Sequence, residues 1–488
     1  FGGKWLARTA EGKKILISGG AIPESVVDIR VLRSKSSFIE WQIVNIVKKS
    51  PLEEDLDPSI QVYGGCKWLP IKYENQLKIK ENQVREAFHH IRDKVEWATF
   101  HPIIGSPEVF AYRNKVEFSW GKYISAREGV HDDFRFGFHE QGAFDRIINC
   151  KNCILADEEI NAIFKKVDTF SRSTELPTYD PKPAEGFWRH FVVRKGSFSG
   201  EIMLIFSVNS HHEGYQSGKK LIREFVSRLA IEHPNVVSAC ILENHGRADI
   251  VTGEVVNVFG KPTITERLLG LEFEINPKSF FQTNSYGAEL LYKIALKYAK
   301  DPSSWANAKD LDFSQESAIG RKIVSKNNKR DPESSSGWHK ILLDLYAGTG
   351  TIGMLMARDF ERVYSVELVT EASKDGERNA QKNGISNMKF VNEKVEDFVK
   401  VFLESGKKTD TIIVDPPRDG MHPSAPENIL AFDANVIVYV SCNPATLVRD
   451  LALLLESGKY RVTDITPVDM FPHTHHIETV VRLEKTSA

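Results

Sequence analysis

In the segment His339 to Ala357, HKILLDLYAGTGTIGMLMA, an apolar run leads into a glycine-rich turn and the start of a helix. The run Ile341 to Leu345 is of the kind found in a parallel strand that is covered by helices on both faces. Gly348, Gly350 and Gly353 form G-x-G-x-x-G, which allows a sharp turn against a ligand and a close approach of helix to strand. The stretch predicts a doubly wound α/β domain that binds a nucleotide-like ligand.

An acidic residue is expected at the end of the next strand, where its carboxylate can hold ribose hydroxyls. The segment Val363 to Glu367, VYSVE, places Glu367 nineteen residues after Gly348. A dinucleotide and S-adenosylmethionine both fit this arrangement. The glycine turn alone does not choose between them, so the choice depends on the segments that follow.

Three later segments are predicted to bring reactive side chains to the same edge of the domain. A buried strand, Thr411 to Val414, ends at Asp415, the first residue of DPPR. Another strand, Val436 to Val440, runs into Cys442 within SCNP, and Glu478 follows FPHTHHI directly before an alternating apolar segment. Open α/β folds bind ligands at the carboxyl ends of their strands, so these side chains are candidates for one site. A thiol is suited to attack on carbon, and a carboxylate to removal of a proton.

Several motifs, taken together and in their order, resemble those of the RNA 5-methyluridine methyltransferases, the family that contains the tRNA and ribosomal RNA uracil-C5 enzymes. They are DLYAGTGTIG, DPPRDGMHP, SCNPATLVRDL and DMFPHTHHIET, preceded by NPKSFFQTN at Asn276 to Asn284. The resemblance covers most of the chain and implies a class I S-adenosylmethionine-dependent domain acting on uridine C5 in ribosomal or transfer RNA. It also implies that the cofactor contacts Gln282, Tyr346, Gly348, Gly350, Glu367 and Asp415.

The resemblance further implies roles for a nucleophile and a base. Uracil C5 is a poor nucleophile, but a thiolate added at C6 turns the ring into an enolate with electron density at C5. Cys442 is the implied nucleophile, and Glu478 is the implied acceptor of the C5 proton before the thiolate leaves. The target base has to be splayed out of the RNA to reach such a pocket.

Two other functions remain open at this point. A NAD(P)-dependent oxidoreductase is supported by the glycine turn and Glu367 alone, and it leaves Cys442 and DPPR unexplained. A non-catalytic RNA-binding or RNA-folding protein is an alternative of a different class. The presence of both Cys442 and Glu478 disfavours it.

The chain of 488 residues is long enough for several domains. Its first fifty residues contain nine Lys or Arg against four Asp or Glu and several short β segments, and they resemble a TRAM domain, an RNA-binding barrel of the oligonucleotide-binding type. We therefore predict a TRAM-like β-barrel at 1–52 and a central, mainly β, RNA-holding domain at 53–275 with an early helix at about 73–96. The methyltransferase domain is predicted at 276–488, with a disordered insertion at 301–337.

Five cysteines are present in the chain. Many members of the family carry a four-cysteine iron–sulfur site near the position of Cys66, but Asp57 and Tyr63 stand where two of those cysteines would be. Only Cys66 and a later cysteine, Cys153 or Cys150, remain, and a cluster needs about four thiolates. We expect no iron–sulfur cluster. We also expect no metal at His473, His475 and His476, which lack accompanying ligands at metal-site spacing.

The overall charge and hydropathy restrict the class of protein. The formal net charge is −2, which gives no global indication of nucleic-acid binding. No apolar run reaches the length needed to span a bilayer. We expect a soluble intracellular monomer, either cytoplasmic or in an organelle such as the chloroplast if a leader precedes Phe1.

Overall fold

The computed structural model describes residues 5–8, 14–18, 22–34, 38–57, 59–125, 129–140, 145–300 and 339–486. The predicted insertion at 301–337 lies outside these ranges. No helix within them is long and apolar enough to cross a membrane.

The strands are β1 Trp5–Arg8, β2 Lys14–Ser18, β3 Val26–Ser34, β4 Phe38–Lys48, β5 Thr99–Phe100, β6 Lys115–Ser125, β7 Val130–His139, β8 Ile147–Asn149, β9 Trp188–Lys195, β10 Ile202–Val208, β11 Val236–Glu243, β12 Glu254–Gly260, β13 Ile264–Leu268, β14 Leu271–Ile275, β15 His339–Leu345, β16 Phe360–Val366, β17 Met388–Val391, β18 Thr411–Val414, β19 Val436–Ser441, β20 Tyr460–Val468 and β21 Glu478–Lys485. The α-helices are α1 Tyr73–Phe88, α2 Glu158–Ser173, α3 Tyr215–Glu232, α4 Ser285–Ala299, α5 Thr351–Met356, α6 Thr370–Lys382, α7 Val395–Glu404, α8 Ala425–Ala431 and α9 Pro444–Glu456.

The C-terminal sheet positions the candidate site. It has eight strands in the order β17-β16-β15-β18-β19-β21-β20-β5. The strands from β17 to β19 are parallel, whereas β21 runs antiparallel to both of its neighbours. Apolar side chains of β15 point alternately to two separate cores, Leu342 to one and Leu343 and Leu345 to the other. Both faces are therefore covered, as the apolar run predicted, and the doubly wound fold class is confirmed.

The early helix α1 packs on this C-terminal sheet. Its residues Val84 and Phe88 belong to the same core as Leu343 and Leu345. After a 3-10 helix at His89–Lys94, β5 pairs in parallel with β20 at the edge of the sheet, through Thr99 opposite Asp464 and Phe100 opposite Ile465. The sequence did not predict this strand, because two residues are too few to show a period.

The central part of the chain forms a seven-stranded sheet in the order β12-β11-β10-β9-β6-β7-β8. Helices α2 and α3 pack on it, with Phe164 and Val226 in its buried core. The sequence predicted this part to be mainly β, and neither helix was predicted. A signal for α2 was present: Asp157 caps its first turn by accepting a hydrogen bond from the Ile160 amide at 2.9 Å.

The N-terminal strands form a four-stranded sheet in the order β1-β2-β4-β3. Within the described residues, no pairing joins β1 to β3, so closure into a barrel stays a prediction. The side chains of Arg30 and Arg33 on β3 are exposed to solvent.

Candidate active site

The turn after β15 brings the backbone into conformations that favour glycine. Tyr346, Gly348 and Gly350 have φ values of 60°, 56° and 70°. A Cβ on Gly350 would lie 2.7 Å from the Phe390 ring and 2.9 Å from the Ser365 hydroxyl oxygen, whereas a Cβ on Gly348 would meet no atom within 4 Å. Gly350 is thus required by packing, and Gly348 borders open space that a ligand can enter.

We expect Gly350→Ala to lower the melting temperature of the ligand-free protein more than Gly348→Ala does. Both substitutions place a Cβ in the left-handed region, which costs roughly 1–2 kcal/mol. Only Gly350→Ala adds a steric clash, worth about 1–3 kcal/mol in a packed core. Thermal unfolding of the two variants measures the difference, and equal melting temperatures would show that the close contacts of Gly350 relax without cost.

Gly353 allows helix α5 to pack closely against strand β15. Its amide donates a hydrogen bond to Asp344 Oδ2 at 3.0 Å, and a Cβ at this position would lie 2.7 Å from the same oxygen. Burial raises the pKa of Asp344 to about 8. The Asp344 carboxyl group therefore links β15 to the first turn of α5.

Glu367 connects the glycine turn to the segment after β16. Its carboxylate accepts hydrogen bonds from the Gly348 amide at 2.8 Å and from the Val369 amide at 2.7 Å. The register of β15 places Leu345 opposite both Val366 and Val414, so Tyr346 lies between Glu367 and Asp415 at the edge of the sheet.

Two side chains at this edge carry polar groups that are available to bind a ligand. The Tyr346 hydroxyl is buried and has no hydrogen-bond partner among the described residues. Such orphaned groups are rare in folded proteins, because each one costs free energy until a partner satisfies it. Desolvation raises the pKa of Asp415 to about 7, although part of the residue stays accessible. With open space beside Gly348, these residues fit a polar nucleoside-bearing cofactor.

The two predicted catalytic residues are neighbours on adjacent strands. Ser441 pairs with Thr479 at the end of the β19–β21 ladder, so Cys442, which follows β19, and Glu478, which begins β21, lie side by side. Glu478 is only 5% exposed, whereas Cys442 is partly exposed. Burial and then the charge of Asp415 raise the pKa of Glu478. Burial, followed by the charges of Glu478 and Asp415, raises the pKa of the Cys442 thiol to about 11.

Gln282 lies close to a tyrosine of this edge that the sequence did not indicate. Its side-chain amide interacts with the phenol of Tyr292, a buried residue of α4. Burial and then the charges of Asp415 and Glu478 raise the pKa of the Tyr292 phenol. Gln282 is also held through its carbonyl, which accepts from Asn114 Nδ2 at 2.9 Å.

The sequence matches bacterial proteins over almost their whole length. It is 34% identical, over 98% of this chain and 95% of that protein, to an uncharacterized RNA methyltransferase of Caldanaerobacter subterraneus subsp. tengcongensis. It is 36% identical, over 97% of this chain and 93% of that protein, to an uncharacterized RNA methyltransferase of Clostridium acetobutylicum. Residues 332–486 match the family described as tRNA (Uracil-5-)-methyltransferase. The chain belongs to the RNA 5-methyluridine methyltransferase family.

A solved structure shares the fold of this methyltransferase. It is the crystal structure of Pyrococcus abyssi tRNA (uracil-54, C5)-methyltransferase in complex with S-adenosyl-L-homocysteine, with a TM-score of 0.68 and 24% sequence identity. The likeness covers 98% of this chain and 100% of that chain. Membership of the family confirms a methyltransferase that uses S-adenosylmethionine and acts on RNA, and it leaves the oxidoreductase and non-catalytic hypotheses without support.

A small cavity of the methyltransferase opens beside the thiol. Cys442, Arg418, His475, His476 and, from helix α1, Gln83 are among the residues that line it. Burial and then the charge of Arg418 lower the pKa of His475 to about 4, and burial and then His475 lower that of His476 to about 3. Both imidazoles are therefore neutral near pH 7. Gln83 was not predicted as part of the site, because no local motif on α1 connects it with a thiol 359 residues later.

The region of the family's iron–sulfur site holds buried thiols beside a tyrosine in the methyltransferase. Cys66, Cys150 and Cys153 are all buried, and burial raises the pKa of the Cys150 thiol to about 12. Tyr63 donates its amide to Cys66 Sγ at 3.3 Å, while Asp57 is exposed and accepts from a neighbouring amide in a turn. Within the described ranges, no group of three or more His, Cys, Asp or Glu residues is arranged to hold a metal ion.

Proposed function

We propose that this methyltransferase methylates C5 of uridine in transfer or ribosomal RNA through a covalent adduct with Cys442. The observation that carries the proposal is a partly exposed thiol beside a buried carboxyl group, both at the edge of the sheet where the glycine turn lies. A nucleophile next to a base is what addition at C6 and proton removal at C5 require.

The cofactor is assigned to the edge between the glycine turn and Asp415. Gly348 would let the backbone approach it, Gly350 holds the turn through its packing, Glu367 would bind ribose hydroxyls, and Tyr346, Asp415 and Gln282 would supply further polar contacts. When bound, S-adenosylmethionine supplies a methyl group on a positively charged sulfur, which makes it a good donor. Asp415 and Glu478 have raised pKa values in the free protein, and a cation beside them favours their ionised forms.

Cys442 begins the reaction by adding to C6 of the flipped uracil. Because burial raises the pKa of its thiol to about 11, the sulfur is protonated at neutral pH, and its proton passes to solvent at the partly exposed side chain as the C–S bond forms. Arg418 opposes the raised pKa through its positive charge and so favours the thiolate. The addition moves electrons onto the uracil carbonyl oxygen and makes C5 nucleophilic.

Glu478 completes the reaction after C5 has taken the methyl group. The carboxylate removes the C5 proton, the C5–C6 double bond re-forms, and Cys442 leaves as thiolate. Desolvation raises the pKa of Glu478, which makes its ionised form a stronger base than a carboxylate in water. The adjacent position of the two residues lets the same ring face both groups.

S-adenosylhomocysteine is expected to stabilise the methyltransferase against thermal unfolding, and NAD is not. A ligand at 100 times its dissociation constant adds about 2.7 kcal/mol to the stability of the folded state, and a nucleotide that does not bind adds nothing. Thermal unfolding with each compound at equal concentration tests the assignment. Stabilisation by NAD alone would contradict it.

One labelling experiment tests both which nucleoside is formed and which class of RNA is the substrate. Unmodified transfer RNA and ribosomal RNA are each incubated with the protein and methyl-labelled S-adenosylmethionine, digested to nucleosides and separated. The label is expected in 5-methyluridine from one of the two RNA classes. Label in another nucleoside would overturn uridine C5 as the target, whatever RNA carries it.

A further inference from the structure

A buried ion pair joins helix α1 to the loop that precedes Glu478. Lys80 Nζ lies 2.7 Å from Asp469 Oδ1, and both side chains are 0% exposed. The same ammonium donates to the Phe471 carbonyl at 3.1 Å, and the same carboxylate oxygen accepts from the Phe471 amide at 3.0 Å. Both members of the ion pair are therefore hydrogen-bonded to the backbone of the loop at Phe471.

One helical turn earlier, Gln76 holds the same loop at its strained residue. The Gln76 Oε1 atom accepts from the His473 amide at 2.8 Å, and its Nε2 atom lies 3.0 Å from His473 Nδ1. His473 has φ 63°, in the left-handed region that a residue with a side chain adopts only when its surroundings require it. The His473 carbonyl is also bound, by the Trp68 amide at 3.0 Å. The turn of the loop is thus imposed by contacts from the N-terminal half of the chain.

Other parts of the protein fix the residues between these two points. The Tyr112 hydroxyl donates to the Pro472 carbonyl at 2.9 Å, and Asn284 Nδ2 donates to the Met470 carbonyl at 2.7 Å. Asn284 is two residues beyond Gln282, on the cofactor side of the site. Five residues after His473 the chain reaches Glu478, so the position of its carboxyl group depends on this loop.

From this geometry we propose that Lys80 and Asp469 are positioning residues for Glu478. The inference rests on the proposed function, in which Glu478 is the base. A buried ion pair is not needed for stability, because apolar side chains of similar volume are often at least as stabilising. Apolar side chains would not reproduce the bonds from Lys80 and Asp469 to the Phe471 backbone, which hold the loop in place.

The test is the double variant Lys80→Met/Asp469→Asn, which removes both charges at once and leaves neither buried without a partner. Met fills the space of the lysine stem, and the Asn oxygen can still accept from the Phe471 amide. The double variant is expected to fold, to bind S-adenosylhomocysteine and to form the Cys442 adduct. Release of the C5 proton, followed with tritium, should slow about 10- to 100-fold, because a small displacement of a catalytic group is this costly. Methylated adduct should then accumulate on denaturing gels.

A matched control and a second variant complete the experiment. Lys78→Met changes an exposed lysine of the same helix and should turn over as wild type. Gln76→Met removes the contact to the His473 amide without any change in charge, and it should also accumulate methylated adduct. Wild-type proton release in the folded double variant, or in Gln76→Met if the double variant does not fold, would overturn the positioning role. Absence of adduct and of 5-methyluridine with the wild-type protein would instead overturn the proposed function.

Discussion

Cys442→Ala is expected to lose both methylation and any covalent protein–RNA adduct. Without the sulfur no bond forms at C6, so C5 does not become nucleophilic. Removal of a catalytic nucleophile costs on the order of 10⁴-fold or more in turnover. Transfer of labelled methyl to RNA and a denaturing gel of the reaction measure the two losses.

Binding of S-adenosylhomocysteine is the control that the Cys442→Ala variant is folded. Cys442→Ala should keep the stabilisation by S-adenosylhomocysteine, because the glycine turn, Glu367 and Asp415 are unchanged. An adduct that persists in Cys442→Ala would show that another residue attacks the base. Cys442 is the one cysteine of the five that is not buried, so no other thiol of this chain has comparable access.

Glu478→Gln should block a later step, the breakdown of the covalent intermediate that Cys442→Ala cannot form. Addition at C6 and methyl transfer remain possible, but proton removal from C5 is blocked. The variant is expected to accumulate a protein–RNA adduct, stable in denaturing gels, that already carries the labelled methyl group. A folded Glu478→Gln protein with wild-type turnover would remove Glu478 as the base.

Two properties of Glu478→Gln can be measured without RNA. The raised pKa of Glu478 means that the fold disfavours its ionised form, so a neutral amide should not lower the melting temperature at pH 8. The charge of Glu478 also contributes to the raised pKa of Cys442. Above the pH at which Glu478 ionises, loss of that charge lowers the pKa of the thiol, and iodoacetamide should alkylate Cys442 faster in the variant than in the wild type.

The sequence predicted which residues lie at the edge of the sheet, because each of these residues stands next to the end of a recognisable strand. Asp415, Cys442 and Glu478 each stand next to an apolar strand, and parallel strands deliver their carboxyl ends to one edge. Glu478 reaches that edge from the start of an antiparallel strand, which only the FPHTHHIE motif indicated. The bond from the Gly348 amide to Glu367 was not predicted: the sequence placed Glu367 at the end of its strand and assigned its carboxylate to ribose hydroxyls only.

The contacts between distant segments could not be predicted in this way. Lys80 and Asp469 are 389 residues apart, and Lys80 looks in the sequence like the exposed Lys78 on the same helix. A charged residue is rarely buried, so a lysine in a polar helix is assigned to the solvent face. Gln83 and Tyr292 were missed for the same reason: their roles depend on tertiary packing and on no local pattern.

The pairing of β5 with β20 also affects how the chain is made. Thr99 and Asp464 belong to one sheet, so the ribosome completes most of the protein before this edge can form. The core that Val84 and Phe88 of α1 join consists mainly of residues from Leu343 onward, so the apolar side of α1 also waits for the second half of the chain. A fragment that starts at 276 would lack these residues, and it would expose both an apolar surface and the unpaired edge of β20. Such an edge is a template for aggregation, so the catalytic half is expected to need its N-terminal half in order to stay soluble.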